Sequence, residues 1–220
     1  MRVATAETTI ERYVEKFNMD HFLNDHLLNH LRMFEFPAFS NVYTEDQEQH
    51  YLYFLVEGQV QCSHYHANGR HAVFALSNPF TAIGDFEILS DERVKSNVIA
   101  TRKTIMLGIA ADVVRHYGED DPRFLRFIID QLREKLYETN ALQMNQVLPV
   151  VDRLALYILA HSGRDDAIVV PSKEDFASLM GTTPRHLNRV LRDLVESGHI
   201  SGGYPRIRIL NRSALEKMTL

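Results

Sequence analysis

Apolar residues recur along this chain with two different periods. Residues 7–18 place Ile10, Tyr13, Val14 and Phe17 at i, i+3, i+4 and i+7, which predicts an amphipathic helix. Asp25 to Arg32 predicts a second, short one. From Phe34 the texture changes to short apolar runs broken by turn residues: FEFPAF, YLYFLVEGQVQCSHYHANGRHAVFAL, SNPFTAIGDFEILSDER and SNVIATRKTIMLGIA. Tyr, Phe, Val and Ile are enriched there, as befits a pleated, half-buried surface. Asn68-Gly69 sits between two runs and predicts a type I′ hairpin turn, with glycine supplying the positive φ. Several strands at this spacing predict a small antiparallel barrel or sandwich.

Around Ala111 the helical period returns. Asp121-Pro122 predicts a helix start, with Asp as N-cap and Pro at the first helical position. The pattern then runs unbroken to about Gln146. Leu125, Ile129, Leu132, Leu136, Thr139, Gln143 and Gln146 fall at alternating steps of four and three, an a/d seam that predicts a dimer interface. Pro149 breaks it, so Gln146–Pro149 is read as a hinge. After VVDRLALYILA and a polar loop come a short helix over Lys173–Met180 capped by Ser172, and a tight Gly181-Thr182-Thr183 turn. A second helix over Pro184–Ser197 follows, capped by Thr183, then a glycine-framed hairpin, ISGGYPRIRIL.

Helix, glycine-containing turn, helix and basic hairpin together form a winged helix-turn-helix signature. Phe176, Leu179 and Met180 are placed to pack on Leu187, Val190, Leu191 and Leu194. That leaves the outer face at the start of the second helix for a DNA major groove. It carries Thr182, Thr183, Arg185, His186, Asn188, Arg189 and Arg192. Arginine bonds guanine and asparagine bonds adenine with two hydrogen bonds each. Arg206 and Arg208 alternate on one strand face of the hairpin and suit phosphate.

Charge sharpens this picture only when it is divided. The 220 residues carry a net charge of −5, which averaged over the chain argues against nucleic acid. Residues 1–150 hold 14 Lys and Arg against 21 Asp and Glu, a net of −7, while residues 151–220 hold 10 against 8, a net of +2. The acidic average belongs to the first part. A single cysteine, Cys62, excludes an internal disulfide and an all-cysteine zinc or iron–sulfur site. No apolar run is long enough to span a membrane and the first residues do not read as a secretory signal, so a cytoplasmic location is expected. No nucleophile–base pair, P-loop or metal triad stands out, so the chain is read as a non-enzyme.

From about Phe34 to the C-terminus the sequence resembles the Crp/Fnr family of bacterial transcription regulators. The resemblance rests on YLYFLVEGQVQC, ANGR and IGDFEIL before the SNVIAT run, on DPRFLRFIIDQLREKLYETN, and most specifically on EDFASLMGTTPRHLNRVLRDLVESGHIS. The FEIL variant and the proline hinge are similar to a YeiL-type subgroup. The resemblance implies an α+β chain in three parts. These are a sensor over residues 1–120 with a cyclic-nucleotide-binding-type β-barrel (a double-stranded β-helix or jelly roll), a dimerisation helix over 121–147, and a winged helix-turn-helix over 148–220. It implies a homodimer on double-stranded DNA, RNA polymerase as a further partner, and a small-molecule effector of unknown identity.

Cyclic-AMP-responsive members hold the ribose with Gly-Glu and the cyclic phosphate with Arg-Ser. The corresponding positions here are Gly84-Asp85 and Lys95-Ser96, with Arg93 nearby, and Thr139-Asn140 stand where members contact adenine. Asp85 is a methylene shorter than Glu, and Lys95 is a point charge without a planar fork. A cyclic nucleotide is therefore disfavoured, no cofactor is assigned, and an effector-independent or protein-binding sensor with a degenerate helix-turn-helix is the alternative. Pro184 stands where cyclic-AMP-type members often carry a base-reading Arg, so a different DNA site is expected. His64 and His66 share a strand face with His71 across the turn, but no third metal ligand accompanies the first two. Cys62 is expected in the core.

Overall fold

A computed structural model describes residues 2–4, 7–65, 71–90, 92–162, 166–170 and 172–219. The expected Asn68-Gly69 turn and His66 lie outside them. The chain divides into two compact units, residues 1–64 with 75–138, and residues 65–74 with 139–220.

The first unit is built on two antiparallel sheets. One contains β1 (Arg2–Ala4), β2 (Arg32–Phe36), β4 (Tyr51–Glu57), β7 (Thr81–Ile83) and β9 (Thr104–Ala110), in the order β1-β2-β9-β4-β7. The other orders β3 (Asn41–Tyr43), β8 (Asn97–Ala100), β5 (Val60–Tyr65) and β6 (His71–Ser77) as β3-β8-β5-β6, residues 65 and 71–74 of it belonging to the second unit. Successive side chains of a strand face opposite ways, and β4 shows the result. Tyr53 and Leu55 join Phe34, Phe36, Ile83 and Met106 in an inner core shared with Val42, Val60, Val98 and Ala100 of the other sheet. Leu52, Phe54 and Val56 face the opposite way, into a second core. Gly108 sits on the inner face because a Cβ there would strike the rings of Phe34 and Tyr53, which meet edge to face at 5.2 Å.

Four helices cover the outer core: α1 (Glu7–Lys16), α2 (Asp25–Asn29), α3 (Ala111–Gly118) and the start of α4 (Pro122–Met144). Asn24 caps α2 by accepting from the Leu27 N–H. It also donates to Asp121 Oδ2 and to the Tyr117 carbonyl, which joins the caps of α2 and α4. The second helix is shorter than its sequence predicts, because β2 begins at Arg32 and takes Met33 into the outer core. Helix α4 closes with a 3-10 turn over Asn145–Val147, so the expected Pro149 break is preceded by a tightening of the chain.

The second unit contains α5 (Val150–His161), β10 (Ala167–Val169), α6 (Lys173–Leu179), α7 (Pro184–Glu196), β11 (Ile200–Gly203), β12 (Arg206–Ile209) and α8 (Arg212–Lys217). The hairpin strands are joined by β10 into a three-stranded antiparallel sheet, ordered β10-β12-β11. The core is formed by Leu154, Ala155 and Ile158 of α5, Phe176, Ala177 and Leu179 of α6, and Leu187, Val190, Leu191 and Leu194 of α7, with Met180, Ile207 and Leu215. The architecture is thus a barrel-like antiparallel domain, a long helix and a helix-turn-helix, an α+β chain as its sequence indicates.

Candidate nucleic-acid interface and sensor barrel

The caps that the sequence names are made. Ser172 Oγ accepts from the Asp175 N–H at 2.9 Å and Thr183 Oγ1 from the His186 N–H at 3.3 Å, with Pro184 in the first turn of α7. Between them Gly181 has φ +58°, a left-handed conformation that favours glycine. A Cβ there would also strike the side chain of Gln146. Arg153 holds that side chain in place, donating to Gln146 Oε1 at 2.9 Å and to its carbonyl at 3.0 Å. Gln146 therefore seats on the helix-turn-helix turn, a contact that the sequence did not show.

At 100° per residue, Arg185, Arg189 and Arg192 fall on one side of α7, opposite Leu187, Val190 and Leu194. All three arginines are exposed, as is Thr183, while Thr182, His186 and Asn188 are half-buried. Arg189 donates to His186 Nδ1 at 2.8 Å, so the two form a pair on this face. The wing keeps strict period two: Arg206 and Arg208 are exposed and Ile207 and Ile209 buried. Ser201, Gly202, Arg206 and Arg208 line an open cleft of about 320 Å³. The arrangement presents a row of arginines on one helix and an arginine-lined wing, the donors that base edges and phosphates accept.

In the barrel the candidate effector residues separate. Gly84, at φ +87°, is packed against Gln49, whose Nε2 donates to the Gly84 carbonyl. The Asp85 side chain is 1 % exposed and ion-paired at 2.5 Å with Lys135 Nζ of α4. Arg93 turns to the Asp46 carbonyl at 2.8 Å, and Lys95 Nζ lies 3.6 Å from Glu92 on the surface. Neither cation accompanies Asp85. Ser96 and Thr139 are half-buried and Asn140 exposed. Glu87 is buried and accepts from the Lys95 N–H at 3.0 Å. Cys62 packs on the inner core. Burial raises its thiol pKa from the ordinary 9.0 to about 11, Lys135 pulls it down, and Asp85 and Glu87 push it up.

Lys135, Gln131 and Glu87 were not among the sequence candidates. A signal existed for two of them: Phe124, Ile128, Gln131 and Lys135 are spaced i, i+4, i+7 and i+11, so polar residues continue a buried stripe. The seam residues lie a quarter-turn away. Leu125 and Leu132 are half-buried against the outer core, Ile129 and Leu136 are 62 % and 60 % exposed, and Gln143 is exposed. His64 lies 3.4 Å from Glu45, and no group of three potential metal ligands occurs among the described residues. Among them no helix is long and apolar enough to cross a membrane.

Residues 152–218 match the model of a Crp-like helix-turn-helix domain, and residues 33–121 that of a cyclic nucleotide-binding domain. The chain is 27% identical over 190 residues to the regulatory protein YeiL of Escherichia coli O157:H7, covering 86% of each. It is 25% identical over 190 residues to the transcriptional regulator LdrP of Thermus thermophilus, covering 84% of this chain and 95% of the relative. Among solved structures, FixK2 from Bradyrhizobium japonicum superposes with a TM-score of 0.75 at 19% identity, over 86% of this chain and 96% of that one. That likeness concerns the fold.

Proposed function

The chain belongs to the Crp/Fnr family of transcriptional regulators, and on that premise we propose how it reads DNA. It acts as a homodimer joined along the α4 seam, through Leu125, Ile129, Leu132, Leu136, Thr139 and Gln143. Each protomer sets α7 in a major groove, the two sites being about 34 Å apart on a pseudo-palindrome. Arg185, His186 and Arg189 approach base edges, with Asn188 and Arg192 on the same helix. Thr182, Thr183, Arg206 and Arg208 touch phosphate. The observation that carries this reading is the row of exposed arginines on the side of α7 away from its core.

The relatives are regulators, and we read this chain as a binding protein rather than an enzyme, acting in the cytoplasm with RNA polymerase as a further partner. A ligand in the barrel acts by changing how α4 packs, and can shift that equilibrium only by its differential affinity for the two states. The test is selection of duplexes from a random pool by the full-length protein, followed by a gel shift. A two-fold-symmetric site is expected. Recovery of no preferred sequence would refute the reading and favour a sensor that binds protein.

A further inference from the structure

We propose that Lys135 is a positioning residue, an internal counter-ion that ties α4 to the barrel, so that DNA binding needs no added cyclic nucleotide. The inference rests on the regulator reading above and concerns how that regulator is controlled.

Strand β7 is an edge strand, paired among the described residues with β4 alone. An edge leaves backbone groups that need partners when buried. Ala82, opposite Phe54 in the register, is fully buried, and α4 supplies both partners. The Ala82 N–H donates to Gln131 Oε1 at 2.8 Å, and Lys135 Nζ donates to the Ala82 carbonyl at 2.6 Å. The two side chains stand one helical turn apart, so α4 caps the sheet edge much as another strand would.

The same ammonium reaches Asp85 Oδ1. Asp85 is buried and has no cation partner other than Lys135 among the described ion pairs, and its Oδ2 accepts no hydrogen bond. Arg93 and Lys95 are engaged on the surface, so among the described residues Lys135 is the cation paired with this carboxylate. From the other side Arg115 of α3 donates to the carbonyls of Ile88 and Ser90, both at 3.2 Å. The loop after β7 is thus pinned to two helices by the protein's own cations. Phe86 lies beside the ammonium, its ring centroid 5.5 Å from Nζ.

The tie fixes the rotation of α4 about its axis, and with it the direction in which Ile129 and Leu136 are presented. A ligand that bridged the Gly84–Ser90 loop to α4 would do the same, and here a side chain already does it. Lys135 also sets a condition on ligands: any molecule contacting Asp85 must compete with a charge-assisted bond.

The test measures binding of full-length protein to its selected duplex by fluorescence anisotropy, with light scattering for the dimer and circular dichroism for folding. Wild type is expected to bind equally with and without excess cyclic AMP. Lys135→Met is expected to lose about tenfold or more in affinity, while Lys135→Arg stays within about threefold of wild type. If Lys135→Met does not fold, Asp85→Asn carries the test. It removes the charge, keeps an acceptor for the ammonium and is expected to weaken binding in the same direction. Undiminished binding by the folded variants, no rescue by arginine, or a rise in wild-type affinity with cyclic AMP would each overturn the proposal. A wild type that selects no duplex at all overturns the regulator reading beneath it, a distinguishable result.

Discussion

At the scale of single residues, two positions lead to direct predictions. Arg189 donates to His186 Nδ1, so the direction of its guanidinium is set within the protein itself. Arg189→Ala is expected to cost about 1–3 kcal/mol of operator binding and to relax specificity at one base pair. Affinities for operators substituted at each position check this, and a uniform loss would assign Arg189 to phosphate instead. Cys62 shows the opposite behaviour, a group kept from reacting. Its pKa is raised from 9.0 to about 11, chiefly by burial. The folded state therefore holds the thiol proton more tightly than the unfolded chain does. The stability this confers is complete below about pH 9 and is lost as pH rises towards 11. Cys62→Ala should flatten the fall in melting temperature across that window. At neutral pH the thiol should react slowly with a disulfide reagent until urea exposes it. Rapid labelling of the native protein would place Cys62 at the surface.

At the scale of elements, what could be read ahead was what depends on near neighbours. Helix α7 declares itself through a Thr–Pro start and a sharp division between arginines and aliphatics, and β12 through alternation of arginine and isoleucine. Three-residue strands do not declare themselves. Strand β1 forms by pairing Arg2–Ala4 with Met33–Glu35, and β10 by pairing Ala167–Val169 with Arg206–Arg208. Their stability comes from a distant partner rather than from any period of their own. The same holds for Asp85, whose partner lies 50 positions away. Helix α4 was half legible. Its seam is visible as spacing, but the stripe that meets the barrel includes Gln131 and Lys135, which resemble surface residues until the buried edge of β7 is seen. Leu125 and Leu132 pack against the outer core, whereas Ile129 and Leu136 are the apolar seam positions left mostly exposed in the single chain. Ile129→Asp with Leu136→Asp should therefore give monomers by light scattering, because like charges would face each other across a two-fold interface. An intact dimer would move the interface elsewhere.

At the scale of the whole molecule, the uneven charge limits how strongly DNA is held irrespective of sequence. Residues 1–150 carry a net −7 and residues 151–220 only +2. Each phosphate neutralised by a cation releases condensed counterions, so the logarithm of affinity falls with the logarithm of salt by about 0.9 per contact. If Arg206 and Arg208 of each protomer are the principal phosphate cations, a dimer makes four such contacts and the expected slope is about −3.6. Arginines on α7 that bond base edges contribute little to that count, because a base edge carries no condensed ion. Arg206→Ala with Arg208→Ala should then flatten the slope towards zero while leaving the preferred sequence unchanged. Arg189→Ala should change the preference and leave the slope nearly as it was. Operator titrations over a range of salt concentrations, with wild type and both variants, separate the two roles. A steep slope that survives loss of the wing arginines would mean that α7 itself lies along the phosphates, and the assignment of base and backbone contacts would have to be exchanged.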